Sequence, residues 1–208
     1  MKLGHPVNTL IYLLLKLGCR VDASAFASIP DEGPLIIATN HVNFLEMPIL
    51  YLYFKPRVLT GIAKIEIWRN PLLRYLAHIW KPILIRRDSA DVGAYQHMLQ
   101  ALDHGRIIAI APEGTRSHDG KLGRASAGVV MLAAESGAPV LPVAHFGGNL
   151  VWHNLTRLRR TRFEFRVGKP MYFSRTHIAT RQDRAQAIDK LMRALASLLP
   201  EGYRGYYA

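Results

Sequence analysis

Two short apolar runs, Pro34 to Thr39 (PLIIAT) and Arg106 to Ala111 (RIIAIA), constrain the fold of this chain more than any other feature. Each is bounded by turn residues and too short for a helix, so each reads as a buried strand. Between and after them the period changes from strand-like to helix-like. Helical patterns run from Asn43 to Phe54, from about Ser89 to His104, and from Arg124 to Ser136. A further helix is entered at Asn70-Pro71, where Asn caps and Pro takes the first turn. Gly105 and Gly137 follow two of these helices, as left-handed caps do. Pro82 to Ile85 and Val140 to Ala144 read as further strands, and Arg57 to Thr60 as a short extended piece. Strands alternating with helices in this way specify an α/β domain.

The C-terminal part differs in character. Arg162 to Val167 (RFEFRV) alternates polar and apolar with period two, as a strand with one wet face does, and an edge position is expected for it. The last helix, Thr180 to Leu199, places Ile188, Leu191, Met192, Leu195 and Leu199 on one stripe behind a Thr180/Asp183 cap, and should pack on the sheet.

A length of 208 residues suits a single domain with a two- or three-layer core, and half the residues are hydrophobic. Lys and Arg number 27 against 15 Asp and Glu, a formal charge of +12, so the surface attracts polyanions. Cys19 is the only cysteine, which excludes an intramolecular disulfide and fits a reducing cytoplasm. The apolar run Thr9 to Leu15 is far shorter than the roughly 20 residues that span a bilayer. Lys16 interrupts it and Gly18-Cys19-Arg20 offers no small-x-small cleavage site, so a retained amphipathic helix lying on a membrane surface is expected over residues 1–20. The remaining residues, 21–208, should form the α/β domain.

Directly after the first buried strand comes Asn40-His41-Val42-Asn43-Phe44-Leu45-Glu46. Five residues along a continuous helix are about 140° apart, so His41 and Glu46 meet only if His41 sits in the strand-to-helix turn. From the first helical turns Glu46 can then accept a hydrogen bond from one ring nitrogen and leave the other free as a base. Such a dyad has no nucleophile of its own, so the attacking group is a substrate hydroxyl. Taken alone, a His and a Glu after a strand are more often a helix cap and an exposed charge. The second strand ends in Ala111-Pro112-Glu113-Gly114-Thr115-Arg116-Ser117. Ligands of open α/β sheets bind beyond the carboxyl ends of strands, where both segments fall. Gly114 permits close backbone approach and Arg116 can clamp a phosphate with a bidentate fork. A solvated surface turn would look the same.

These segments resemble the motifs of the glycerophosphate acyltransferase superfamily, most closely its 1-acylglycerol-3-phosphate acyltransferase branch. The family's Pro-Glu-Gly-Thr-Arg is present letter for letter as Pro112 to Arg116, and its His-x4-Asp is matched as His-x4-Glu at His41 and Glu46. Ile83 to Arg87 (ILIRR) resembles the motif of an apolar strand ending in a basic residue, with Arg87 at the family's arginine and Arg86 where many members carry an acid. Val140-Leu141-Pro142-Val143 resembles the fourth motif. Order and spacing agree over residues 34–145.

The resemblance implies a mixed sheet flanked by helices and an O-acyltransferase of phospholipid biosynthesis. The donor would be acyl-CoA or acyl-carrier protein as co-substrate, with no cofactor and no metal, and the acceptor a lysophospholipid such as 1-acylglycerol-3-phosphate. His41 matches the catalytic base and Glu46 its acidic partner. Arg87 and Arg116 match the arginines that hold the acceptor's phosphate, and Glu113, Gly114 and Thr115 belong to the loop that shapes that pocket. The change to Glu46 and the presence of Arg86 leave open a different lipid acceptor. A non-catalytic anionic-lipid binder is the other alternative. Nucleic acid is not an expected partner, because no recognition module accompanies the basic residues. Arg157, Arg159, Arg160, Arg162, Arg166 and Lys169, opposed only by Glu164, suit an anionic leaflet, so the expected location is the cytoplasmic side of a membrane, peripheral or monotopic. The other histidines, His145 among them, read as cap, surface or core residues.

Overall fold

The computed structural model describes residues 5–30, 32–54, 59–86, 91–117 and 119–208. A helix α1 (Pro6–Gly18) runs into a short strand β1 (Cys19–Asp22). Strand β2 (Leu35–Thr39), helix α2 (Glu46–Tyr53), strand β3 (Leu59–Lys64), helix α3 (Pro71–Trp80) and strand β4 (Ile83–Ile85) follow. Next come α4 (Val92–Asp103), β5 (Ile107–Ile110), α5 (Gly128–Ser136), β6 (Val140–Phe146), α6 (Val151–Leu155), β7 (Thr161–Val167) and α7 (Arg181–Ser197).

Local chemistry accounts for most element ends. Asn70 Oδ1 accepts from the amides of Leu72 and Leu73 at 3.0 and 3.1 Å, with Pro71 at the first helical position, so α3 starts where the Asn-Pro pair indicates. Thr180 and Asp183 form a reciprocal capping box on α7. After α4 the chain turns at Gly105 (φ 67°), whose amide reaches Leu102 O while that of Arg106 reaches Ala101 O. Two helices start later than their patterns suggest. Residues 124–127 are not helical and α5 begins at Gly128, while Asn43 to Leu45 form a turn ahead of α2. Residues 87–90, where α4 was expected to begin, lie outside the described residues.

Among the described residues seven strands form one mixed sheet in the order β1-β7-β6-β2-β5-β3-β4, parallel throughout except for the β6–β7 pair. Strand β7 therefore does not lie at the edge, as its alternation suggested, because β1 pairs along its outer side from Cys19↔Thr161 to Asp22↔Glu164. Period two reports a wet face, and Arg162 and Arg166 are indeed exposed, but it is silent on whether both rims of the backbone are paired.

Alternate residues of the central strands go to opposite faces. Ile36, Ala38, Ile108, Val140 and Ala144 meet α4, α5 and α7, including Ile188, Leu191, Met192 and Leu195 of the predicted stripe, whose last member, Leu199, joins the same core from just beyond the end of α7. Leu35, Ile37, Ile107, Leu141 and Val143 meet Leu15 of α1 and Ile49, Leu50 and Leu52 of α2. Helix α3 is tied to this second layer through Trp80, which stacks near Tyr51 and donates from Nε1 to Asn8 Oδ1 at 2.9 Å. Among the described residues no helix is long and apolar enough to cross a membrane.

Candidate active site

Strands β2, β5 and β6 run parallel side by side, so their carboxyl ends open on one edge of the sheet. The chain leaving β2 must turn within six residues to enter α2, and that turn carries His41. Asn43 shapes it by accepting the Leu45 amide on Oδ1 at 2.7 Å. Glu46, the first residue of α2, is 1% exposed. Its Oε1 accepts the amides of Val42 and Asn43 at 2.9 and 2.5 Å, and its Oε2 lies 2.6 Å from His41 Nδ1. A buried carboxylate is costly unless its lone pairs are filled, and here three donors fill them. With Nδ1–H donated to Glu46, His41 Nε2 is the ring's free acceptor and makes no hydrogen bond among the described residues. The ring is 24% exposed and lines a cavity of about 470 Å³.

The loop after β5 braces this turn from the other side. Glu113 Oε1 accepts the His41 amide at 3.2 Å, and the Ser117 amide donates to His41 O at 2.7 Å, so both main-chain groups of His41 are clasped. Glu113 Oε2 accepts from Gly123 N at 2.8 Å. Burial pushes the Glu113 carboxyl above its ordinary value, against the opposing pull of the two amide hydrogen bonds. Glu113, expected beside the acceptor, thus has both oxygens committed to the protein. Gly114 (φ 68°) lines the cavity, whereas Thr115 and Arg116 are exposed and Arg116 is not part of the cavity wall. Arg116 makes no ion pair among the described residues, and Arg87 lies outside them.

A clamp that sequence reasoning missed joins β2 to β6. Asn40 Nδ2 donates to His145 O and His145 N donates to Asn40 Oδ1, both at 2.9 Å, while His145 Nε2 donates to Asn40 O at 2.8 Å. The His145 ring is fully buried, its Nε2 is 3.8 Å from Glu46 Oε1, and its Nδ1 has no hydrogen-bond partner among the described residues. Nothing local in the sequence marks a pair 105 positions apart. Asn43 Nδ2 adds a third tie, to Gly148 O at 2.7 Å, and a Cβ at Gly148 would come within 2.7 Å of that same nitrogen. The close approach is why the strand end carries glycine there.

The cavity walls are mostly apolar: Met47, Ile62, Tyr95, Met98, Val129 and Leu132. The polar part of the lining comes from Thr39, Asn40, His41, Glu46, Asp91 and Ser126. Cys19 lies three strands away on β1, buried, and desolvation holds its thiol above the ordinary range, which suppresses the thiolate needed for attack. Among the described residues no group of three or more His, Cys, Asp or Glu side chains is placed to hold a metal ion. The arrangement is a polarised imidazole, oriented by a buried carboxylate and opening on an apolar pocket.

A profile of the acyltransferase family matches residues 20–145. The chain is 33% identical over 134 residues to a 1-acyl-sn-glycerol-3-phosphate acyltransferase of Pseudomonas aeruginosa, a match taking in 63% of this chain and 51% of that protein. It is 32% identical over 112 residues to a lyso-ornithine lipid O-acyltransferase of the same bacterium, covering 53% of this chain and 42% of that protein. This chain spans about half the length of the first of these relatives. The crystal structure of the 1-acyl-sn-glycerophosphate acyltransferase of Thermotoga maritima shares the fold, with a TM-score of 0.62 at 23% identity over 95% of this chain and 83% of that one. Since the matched segment contains the His41 turn, the Glu113 loop and the strands that hold them together, the chain belongs to the acyltransferase family of the glycerophosphate acyltransferase superfamily.

Proposed function

We propose that this chain transfers a fatty acyl group from a thioester, borne by coenzyme A or acyl-carrier protein, to the free hydroxyl of a lysophospholipid, with 1-acylglycerol-3-phosphate as the first candidate. The observation that carries the reading is the His41–Glu46 dyad, 2.6 Å apart, with His41 lining an apolar cavity and, among the described residues, no serine or cysteine bonded to its Nε2. His41 Nε2 takes the acceptor's hydroxyl proton while the oxygen attacks the thioester carbonyl. Glu46 stabilises the imidazolium that results. The tetrahedral adduct collapses with cleavage of the C–S bond, and the imidazolium returns its proton to the departing thiolate. The apolar cavity suits the acyl chain. Arg116, with Arg87, is assigned the acceptor's phosphate, Gly114 and Thr115 belonging to the same loop as Arg116, while Glu113 holds the His41 main chain.

The names of the relatives support this acceptor. The lyso-ornithine relative, together with Glu46 standing where the family motif has Asp, supports a different lysolipid as the second reading. Both lipids reside in bilayers, which supports a location at a membrane surface, and the basic stretch from Arg157 to Lys169 supports its cytoplasmic side. There α1, with Leu10, Leu13, Leu14 and Leu17 exposed and Lys16 and Arg20 near its end, lies at the interface.

Thiol release from acyl-CoA or acyl-carrier protein, measured with 1-acylglycerol-3-phosphate, lyso-ornithine lipid or monoacylglycerol, tests the assignment. Release should depend on an acceptor, be fastest with the phosphorylated one, and fall at least about a hundredfold in His41→Ala. Release that ignores the acceptor, or a folded His41→Ala enzyme retaining more than about a tenth of the rate, would refute it.

A further inference from the structure

Helix α6 ends in a turn whose hydrogen bonds repeat those after α4. The Leu158 amide reaches Leu155 O at 3.1 Å and the Arg159 amide reaches Asn154 O at 2.9 Å, as Gly105 and Arg106 do to Leu102 and Ala101. In the first turn the left-handed position is Gly105; in the second it is Leu158, at φ 52° and 96% exposed. A leucine there carries the steric penalty of the left-handed region and, in water, recovers nothing by burial. It is not isolated. Trp152 (62% exposed) and Leu155 lie three positions apart on one side of α6, Leu150 precedes them, and Trp152 packs on Phe44, itself exposed and three residues beyond His41. Exposed Trp and Leu spaced this closely along one short helix and the turn that ends it call for a partner outside the chain.

The surroundings indicate which partner. Arg157, Arg159 and Arg160 flank Leu158, and the sole acid between residues 148 and 169 is Glu164, already paired with Arg162 and Arg166. Arg160 Nη2 donates to Lys16 O and Cys19 O at 2.6 and 2.7 Å, clipping the turn to the end of α1 beside the exposed Leu17. Apolar tips among long cationic side chains match a bilayer interface, where leucine enters the acyl boundary, tryptophan sits at headgroup level and arginine reaches anionic phosphates. We infer that α6 and the turn at Leu158 form a second membrane-contact element, which inserts into an anionic leaflet beside α1 and sets the His41 turn at bilayer level through Phe44. The inference deepens the proposed function and rests on its lipid substrates.

The test is partition of the full chain onto phosphatidylcholine vesicles with and without phosphatidylglycerol. Leu158→Gly relieves the left-handed strain, so its melting temperature should equal or exceed that of wild type, while its partition onto anionic vesicles should fall roughly tenfold. Leu155→Ser should weaken partition likewise, and the vesicle-induced blue shift of tryptophan emission should be lost in Trp152→Phe. Unchanged partition of Leu158→Gly, or a blue shift that survives in Trp152→Phe, would overturn the proposal. So would a wild-type dimer in lipid-free solution that Leu158→Gly converts to monomers, since the patch would then belong to a second copy. Transfer to a short-chain, water-soluble acceptor separates this from the chemistry. Leu158→Gly should match wild type there, whereas a protein that partitions as described yet transfers to no acceptor would remove the function and leave the membrane element standing.

Discussion

Glu46 serves the main chain through one oxygen and His41 through the other, so substitutions at this residue separate folding from chemistry. In Glu46→Gln the amide oxygen can still accept from Val42 and Asn43, but the NH2 then faces His41 Nδ1 as a donor. The ring is driven to the tautomer with its proton on Nε2, and the base is lost. Turnover should fall roughly 10²–10⁴-fold with KM little changed, whereas Glu46→Asp, which keeps the charge but is shorter by about 1.5 Å, should fall less. Steady-state kinetics decide, and a Gln enzyme with wild-type kcat would reduce Glu46 to a helix-start acid. Arg116 should behave in the opposite way. A phosphate is charged before reaction, so its contact is felt equally by substrate and transition state. A charge-assisted fork is worth roughly 1.5–3 kcal/mol, so Arg116→Ala should raise the acceptor KM about ten- to hundredfold and spare the donor KM and kcat. If the donor KM rises instead, the exposed guanidinium serves coenzyme A or the carrier arm.

At the scale of elements, the loop after β5 and the turn after β2 act as one piece, because Glu113 joins the His41 amide to the Gly123 amide. Its raised pKa has a sign that can be read in stability. The folded state holds the proton more tightly than the unfolded chain, so the contribution is greatest below the ordinary carboxylate value near 4.5 and is lost as pH rises through the folded value. The non-titrating Glu113→Gln variant lacks this term. Relative to it, wild type should therefore gain thermal stability as pH is lowered from 7 towards 5, as paired melts would show, and a constant difference would mean Glu113 is not desolvated. The same pair of segments shows what was legible in the residues. The meeting of His41 with Glu46 and the turn after β5 were readable because each signal is local, within one turn or one loop, as were the Asn70-Pro71 and Thr180/Asp183 caps. Strand β1 was not, since Cys19-Arg20-Val21-Asp22 is four residues long and half polar, and it forms only because β7 offers an unpaired rim. The Asn40–His145 clamp was not either, because it depends on β6 lying against β2, a fact of topology with no trace in either segment's composition.

For the molecule as a whole, the charge of +12 and the exposed leucines of α1 should act on a membrane through different laws. Each Lys or Arg near an anionic leaflet contributes about 1 kcal/mol, and salt screens that contribution within a Debye length of roughly 10 Å at 0.1 M. Buried leucine is insensitive to salt at these concentrations. The basic stretch supplies less than its sequence suggests, because Arg160 is engaged by the end of α1, Arg162 and Arg166 share Glu164, and Arg157 lies against the His153 ring without an acid, leaving Arg159 and Lys169 as its freer members. Deleting the helix would be a poor test of the apolar part. Leu15 belongs to the core and Asn8 holds Trp80, so truncation before Cys19 would open the α2 layer as well as remove the exposed leucines. Leu13→Ser with Leu17→Ser alters exposed positions alone and should leave the melting temperature close to wild type. Vesicle partition of that double variant should lose its salt-resistant component while keeping the salt-dependent slope, and Arg157→Gln with Arg159→Gln should flatten the slope while sparing what survives at high salt. If the leucine variant keeps its high-salt binding, α1 does not lie in the interface, and its exposed face is turned away from the bilayer.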